Sequence, residues 1–228
     1  MLTDRGAADM RQTAAVPHAR HATRADAARL GRALAEAFRT DPVWRWIAPD
    51  RARWDAHAQA SFTADVRSAL QKGHVYTTDD RAGAAMWSPP GVGRGIDLAK
   101  LRSGLTVARL LGPRRLAPGI RILQAMEKAH PRREHWYLAM LGTHPDHQGR
   151  GVGSAVLTPV LDRCDRDGTP AYLESSNPAN VPFYEHHGFA VTGTIRIADS
   201  PPIDTMWREP RPPDEADPAV EAVRAEAR

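Results

Sequence analysis

The sequence predicts an α/β domain in which a mixed sheet carries helices against its faces. Three observations lead there. The second half alternates strand, helix, strand, helix, strand, an order that places helices on a sheet. An apolar strand, His135 to Thr143, passes through a glycine-spaced turn straight into an amphipathic helix. The chain has 228 residues, 42% of them hydrophobic, which is enough for one substantial core.

Taken in order, Val16 to His21 reads as a strand, and Thr23 with Asp26 three residues on forms a capping-box start to a helix. Leu30, Leu34, Ala37 and Phe38 share one face of that helix, and Asp41-Pro42 ends it. An aromatic-rich segment with Trp44, Trp46, Ile47 and Trp54 leads into a helix from Arg51 to Lys72. His74 to Thr78 and Gly83 to Ser88 flank the Asp79-Asp80 turn as a hairpin. A Pro89 to Gly95 loop follows. Its glycines succeed a Pro-Pro pair rather than a strand, so it reads as a flexible loop bordering a binding site, not as a phosphate cradle. Helices at Leu98 to Leu111 and Pro118 to Ala129 then cross to the His135 strand.

In the helix from Gly151 to Asp167, Val152, Ala155, Val156, Val160 and Cys164 share one face. Pro159 removes a main-chain donor within it and predicts a kink. Pro170 to Ser176 is the next strand, Ala179 to His187 a short helix, and Gly188 to Ile197 with Ile203 to Arg208 a closing hairpin. Residues 1–12 read as a flexible N-terminus, 13–209 as one domain, and the Pro- and charge-rich 210–228 as a disordered tail. Within the domain, 13–134 and 135–209 form two halves.

The turn Gln148-Gly149-Arg150-Gly151-Val152-Gly153-Ser154 carries the most chemistry. Glycines at alternate positions remove Cβ atoms where a helix begins, so several N–H groups converge on one anion and the helix dipole adds its positive end. A dinucleotide fingerprint fails on spacing, and a P-loop fails for lack of Gly-Lys-Ser/Thr. A pyrophosphate fits the turn, with Arg150 as electrostatic partner.

This segment, together with Asn177-Pro178-Ala179-Asn180-Val181-Pro182-Phe183-Tyr184-Glu185-His186-His187-Gly188-Phe189, resembles the GCN5-related N-acetyltransferase (GNAT) superfamily. His144-Pro145-Asp146-His147-Gln148-Gly149-Arg150-Gly151-Val152-Gly153, Tyr172-Leu173-Glu174-Ser175-Ser176 and Pro182-Phe183-Tyr184-Glu185 are similar to the puromycin N-acetyltransferase type within it. The likeness spans Trp136 to Trp207 and thins upstream. It implies a mostly antiparallel sheet of six to seven strands, splayed in the middle, and acetyl coenzyme A as co-substrate. It also maps the pantetheine arm to the main chain of Leu141, Gly142 and Thr143, with the Leu141 N–H facing the thioester carbonyl.

By the same likeness Tyr184 is the candidate acid toward the leaving thiolate; Asn177 and Asn180 are the nearby polar residues expected to hold the pantetheine or adenine side. A phenol stays protonated at neutral pH, which suits that task. Glu174, on the strand face shared by Tyr172 and Ser176, is the candidate base for the acceptor amine. Asp41, Trp44, Trp46 and His135 are weaker candidates for acceptor binding. Asp41 also reads as a helix cap, the tryptophans as core, and His135 as an exposed strand start.

Composition excludes other classes. Three Lys against 28 Arg, spread along the chain, make a poor nucleic-acid surface despite a net charge of +4. No apolar run approaches a membrane span and the N-terminus is polar, so a cytoplasmic protein is expected. Neither His18 with His21 nor His144 with His147 has a zinc spacing, and Cys164 alone forms no disulfide. The expectation is a monomeric or homodimeric enzyme acetylating a small-molecule amine, an antibiotic such as puromycin among them. A protein amine as acceptor, or a non-catalytic acyl-coenzyme-A sensor, are the alternatives.

Overall fold

A computed structural model describes residues 17–91 and 98–211, with the side chains of 98–103 excluded. The 1–12 segment, Val16, most of the Pro89 to Gly95 loop and the tail from 212 lie outside the described residues. The chain forms β1 (Ala19–His21), α1 (Ala27–Ala37), α2 (Pro42–Ile47), α3 (Arg51–Leu70), β2 (Val75–Thr78), β3 (Gly83–Ser88), α4 (Leu98–Leu111) and α5 (Leu116–Ala129). It continues with β4 (Trp136–Thr143), α6 (Val152–Asp167), β5 (Ala171–Ser175), α7 (Val181–His186), β6 (Ala190–Ile195) and β7 (Ile203–Arg208).

The strands make one seven-stranded sheet in the order β1-β2-β3-β4-β5-β7-β6. Every pairing is antiparallel except β4 with β5. A parallel pair needs a long crossover, and α6 supplies it. Two apolar clusters cover the two faces. Leu30, Leu34, Trp54, Phe62 and Val66 of α1 and α3 pack with Leu110 and Ile122 on one. Val156, Leu157, Val160 and Cys164 of α6 pack with Trp87, Leu138, Leu173 and Met206 on the other. Each fully buried large side chain here contributes roughly 1.5–3 kcal/mol.

Local chemistry explains most boundaries. The Thr23–Asp26 capping box is present, but it opens a short 3-10 turn before α1. Asp41 does not end α1. Its carboxylate accepts the N–H groups of Val43 and Trp44, which makes it the N-cap of α2, with Pro42 in the first turn where no donor is needed. Helix α6 continues through Pro159 to a left-handed Gly168. The buried Val156, Val160 and Cys164 on its inner face hold it there, and Thr158 Oγ1 donates to the Ser154 carbonyl at 2.9 Å.

The sheet opens at its centre. On the β3 side Met86 pairs with Met140 and Trp87 with Leu138, so Ala139 is an extra residue in β4. A bulge of this kind bends a strand and leaves the extra residue unpaired. On the other side β4 meets β5 only from Trp136–Ala171 to Leu138–Leu173. Glu174 and Ser175 continue against β7 alone, opposite Thr205 and Asp204. Ala139 is consequently exposed although it lies in a central strand.

Candidate active site

Two walls face each other across this opening: Ala139 to Thr143 of β4 and Glu174 to Ser176 at the end of β5. Strand register fixes which main-chain groups point inward. His144 N–H donates to the Ala82 carbonyl at 2.7 Å, and Gly83 pairs with Thr143. In an antiparallel ladder hydrogen-bonded and non-hydrogen-bonded pairs alternate, so Ala84–Gly142 exchanges both bonds while Ala85–Leu141 exchanges none. The Leu141 N–H and carbonyl therefore point away from β3, into the opening. The main-chain groups of Gly142 turn to Ala84, whereas those of Leu141 and Thr143 face the opening. The Thr143 carbonyl in turn accepts the Gln148 side-chain amide at 3.2 Å.

Gly142 is small for a reason on its other side. A Cβ there would come within 2.8 Å of Leu34 Cδ2 and 3.2 Å of Ala37 Cβ, so α1 lies directly on the wall.

The glycine turn follows β4 as a 3-10 turn, Pro145–His147, and then Gln148 to Gly151. Gly149 and Gly151 have φ of 71° and 80°, the left-handed region that other residues rarely adopt. Gly151 caps α6, so Val152, Gly153 and Ser154 form its first turn, whose N–H groups have no partner inside the helix. Gly149 and Arg150 are exposed beside them. The two motifs touch, since a Cβ on Gly153 would meet the Phe183 ring at 3.1 Å. Asn177 accepts the Ala179 N–H at 3.0 Å and so caps the turn that leads to α7; Asn180 is exposed.

Tyr184 on α7 is 7% exposed, and burial first, then the Asp41 carboxylate, pushes its phenol far above the ordinary value. Asp41 is itself buried. Its Oδ2 accepts the Ser176 hydroxyl at 2.6 Å, which brings the N-cap of α2 to the end of β5. Burial raises its pKa against the pull of Ser176 and the two capping N–H groups.

Glu174 is buried at 2% side-chain exposure, with Oε1 3.7 Å from His130 Nδ1. His135, expected to be exposed, is buried just ahead of β4, its ring between Tyr172 and Trp207. His130 went unnoticed in the sequence because it ends α5, 44 positions before Glu174; its one signal is the short Pro131–Glu134 loop that returns the chain to His135. Trp44 packs against Phe38, Trp54 and Phe62, a geometry that core packing accounts for. Trp46 donates to Asp199 at 3.4 Å and has the Arg115 guanidinium over its ring. A polar cavity of about 330 Å³ between α1 and α3 reaches His144. Cys164 is buried and its thiol is pushed up to about 12 by burial. Among the described residues no group of three or more His, Cys, Asp or Glu is arranged to hold a metal, and no helix is long and apolar enough to cross a membrane.

Residues 118–189 match the model of the acetyltransferase (GNAT) family. An uncharacterized N-acetyltransferase of Schizosaccharomyces pombe is 30% identical over 190 residues, 78% of this chain and 77% of its own. A Corynebacterium glutamicum structure described as histone acetyltransferase HPA2 and related acetyltransferase superposes with a TM-score of 0.65 at 24% identity, over 87% of this chain and 99% of that one. Arylalkylamine N-acetyltransferase 2 of Aedes aegypti has the same fold, with a TM-score of 0.59 at 11% identity over 85% and 99%. This chain belongs to the GNAT acetyltransferase family and is an acetyl-coenzyme-A-dependent acyltransferase.

Proposed function

We propose that the protein transfers acetyl from acetyl coenzyme A to an amine of a small molecule by direct attack in a ternary complex, with a puromycin-like antibiotic amine as the leading acceptor. The observation that carries this reading is the opening itself, with the Leu141 N–H aimed into it, Glu174 and Ser176 along the facing wall, and the first turn of α6 at its end. The first-turn N–H groups and Arg150 suit a pyrophosphate, each charge-assisted bond being worth roughly 1.5–3 kcal/mol. The Leu141 N–H suits the oxyanion, where one donor is worth about 10²–10³ in rate. Glu174 takes a proton from the acceptor ammonium; the freed nitrogen attacks the thioester carbon, the C–S bond breaks, and Tyr184 protonates the departing sulfur. Cys164 supports direct transfer, because a buried thiol with its pKa pushed up to about 12 is no nucleophile at neutral pH.

Free-thiol release tests the reading, using purified protein, acetyl coenzyme A, and a panel of puromycin, simple aryl and alkyl amines, and lysine-bearing peptides. Turnover with small amines and not with peptides is the expected result. Coenzyme binding without turnover on any amine would overturn catalysis, and preference for peptides would overturn the acceptor class.

A further inference from the structure

His130 Nε2 lies 2.8 Å from His135 Nε2, and His135 Nδ1 lies 2.6 Å from the Arg133 carbonyl oxygen. Hydrogen-bond polarity can be worked out from that end. A carbonyl only accepts, so His135 carries its proton on Nδ1. In a neutral ring Nε2 is then an acceptor, and His130 must donate from its own Nε2. His130 Nδ1 is left as a lone pair, 3.7 Å from Glu174 Oε1. Two lone-pair-bearing atoms facing each other in a buried gap repel, and a single added proton turns the contact into an attractive one. The side chains are 12% and 2% exposed, so water screens this gap little.

We propose that Glu174, His130 and His135 form a proton relay, its direction set by the Arg133 carbonyl, that takes up the proton lost by the acceptor amine. The inference rests on the acetyltransfer reading above. In the step, one N–H bond of the acceptor ammonium breaks, its electron pair stays on nitrogen, and the proton bonds to Glu174 and is shared with His130 Nδ1. The loaded state is a carboxylate beside an imidazolium, and because both His130 nitrogens are enclosed it discharges back through Glu174 into the opening once the product has left. His130 and His135 thus position and load the base without touching the acceptor. Tyr137 and Tyr172 stack edge-on against His130 at 4.9 Å each and hold the ring in place. Beyond Trp207 on the His135 side stands Arg133, paired with Glu209.

Nitrogen-15 NMR of the histidine rings in the full chain tests the relay directly. His135 is expected as the Nδ1–H tautomer, and Glu174→Gln is expected to lower the His130 titration midpoint by at least one pH unit. An Nε2–H tautomer at His135, or a midpoint indifferent to Glu174→Gln, would overturn the proposal. His130→Phe keeps the ring packed between the tyrosines and removes both nitrogens. It should move the acid limb of kcat/KM by a pH unit or more and leave the KM for acetyl coenzyme A unchanged; a superimposable profile would also overturn it. Absence of turnover with every amine would sink the acetyltransfer reading instead, and the tautomer and midpoint would still decide on the network.

Discussion

Ser176 donates its hydroxyl to Asp41 Oδ2 across 2.6 Å, joining the end of β5 to a residue 135 positions earlier. The other oxygen, Oδ1, receives the N–H groups of Val43 and Trp44 at 3.0 Å each. One buried carboxylate therefore starts α2, ties it to the wall of the sheet opening, and adds negative charge near Tyr184.

Asp41→Ala should cost about 1–3 kcal/mol in urea denaturation, from the lost cap and the orphaned Ser176 hydroxyl. Asp41→Asn keeps an oxygen for the cap and isolates the charge. Burial raises the folded pKa of Asp41, so its contribution to stability is complete below the ordinary 3.8 and fades as pH rises through the raised value. The stability of Asp41→Asn relative to the parent should accordingly be greater at pH 8 than at pH 4. The reverse ordering would show that the ionised carboxylate is welcome in the fold.

Asp26 has the opposite sign. It is 2% exposed and accepts both Nη groups of Arg20 at 2.9 and 3.0 Å, Nε of Arg81 at 2.7 Å, and the N–H and hydroxyl of Thr23. The Arg20 bonds, against burial and with help from Thr23 and Arg81, hold its carboxyl well below the usual range. Its stabilisation is present above 3.8 and is lost as pH falls through the depressed folded value. Asp26→Asn should cost about 2 kcal/mol at pH 7, less than for a fully buried pair because both arginines are partly exposed. The deficit should shrink at pH 3, and urea midpoints at the two values decide it.

The sequence carried what is local. The hairpin strand Gly83 to Ser88, the Leu98 to Leu111 helix and the strand Ile203 to Arg208 were legible residue for residue, because periodicity and turn residues act within a few positions. The glycine turn was legible for the same reason. The Ala139 bulge was not, since an extra residue in β4 exists only relative to β3. Neither was the Asp41–Ser176 bond, nor the ring stack around His130. The bond, and the Tyr172 side of the stack, join elements far apart in the chain, and no spacing rule spans such a distance. Gly142 shows the same limit: its place in the motif was clear, yet only the ladder register reveals that its N–H faces β3.

Gly142→Ala tests how tightly α1 is pressed on the opening. The new methyl would stand 2.8 Å from Leu34 Cδ2, a contact that forces a shift, so about 1–3 kcal/mol of destabilisation is expected. Leu34→Ala leaves a hole in place of that methyl and should cost about 2–5 kcal/mol alone. If α1 is the obstacle, the double variant will be more stable than the sum of the two losses allows, by about 1 kcal/mol or more. Strict additivity in the four-protein cycle would mean that the strain is relieved elsewhere.

In the proposed step Tyr184 gives a proton to the leaving sulfur, and its buried setting beside Asp41 keeps that proton on the phenol until then. With burial and then Asp41 raising its pKa, it stays a phenol across the working range, so it contributes no basic limb to the pH profile. Tyr184→Phe removes the hydroxyl and keeps the ring against Phe183 and Phe189. We expect kcat to fall about 10²-fold with the KM for acetyl coenzyme A unchanged. The deficit should narrow for acyl donors with a more acidic thiol, because a better leaving group needs its proton less. A loss that stays constant as the leaving-group pKa falls would point to misplacement of the thioester. A loss under about threefold would assign Tyr184 to packing alone.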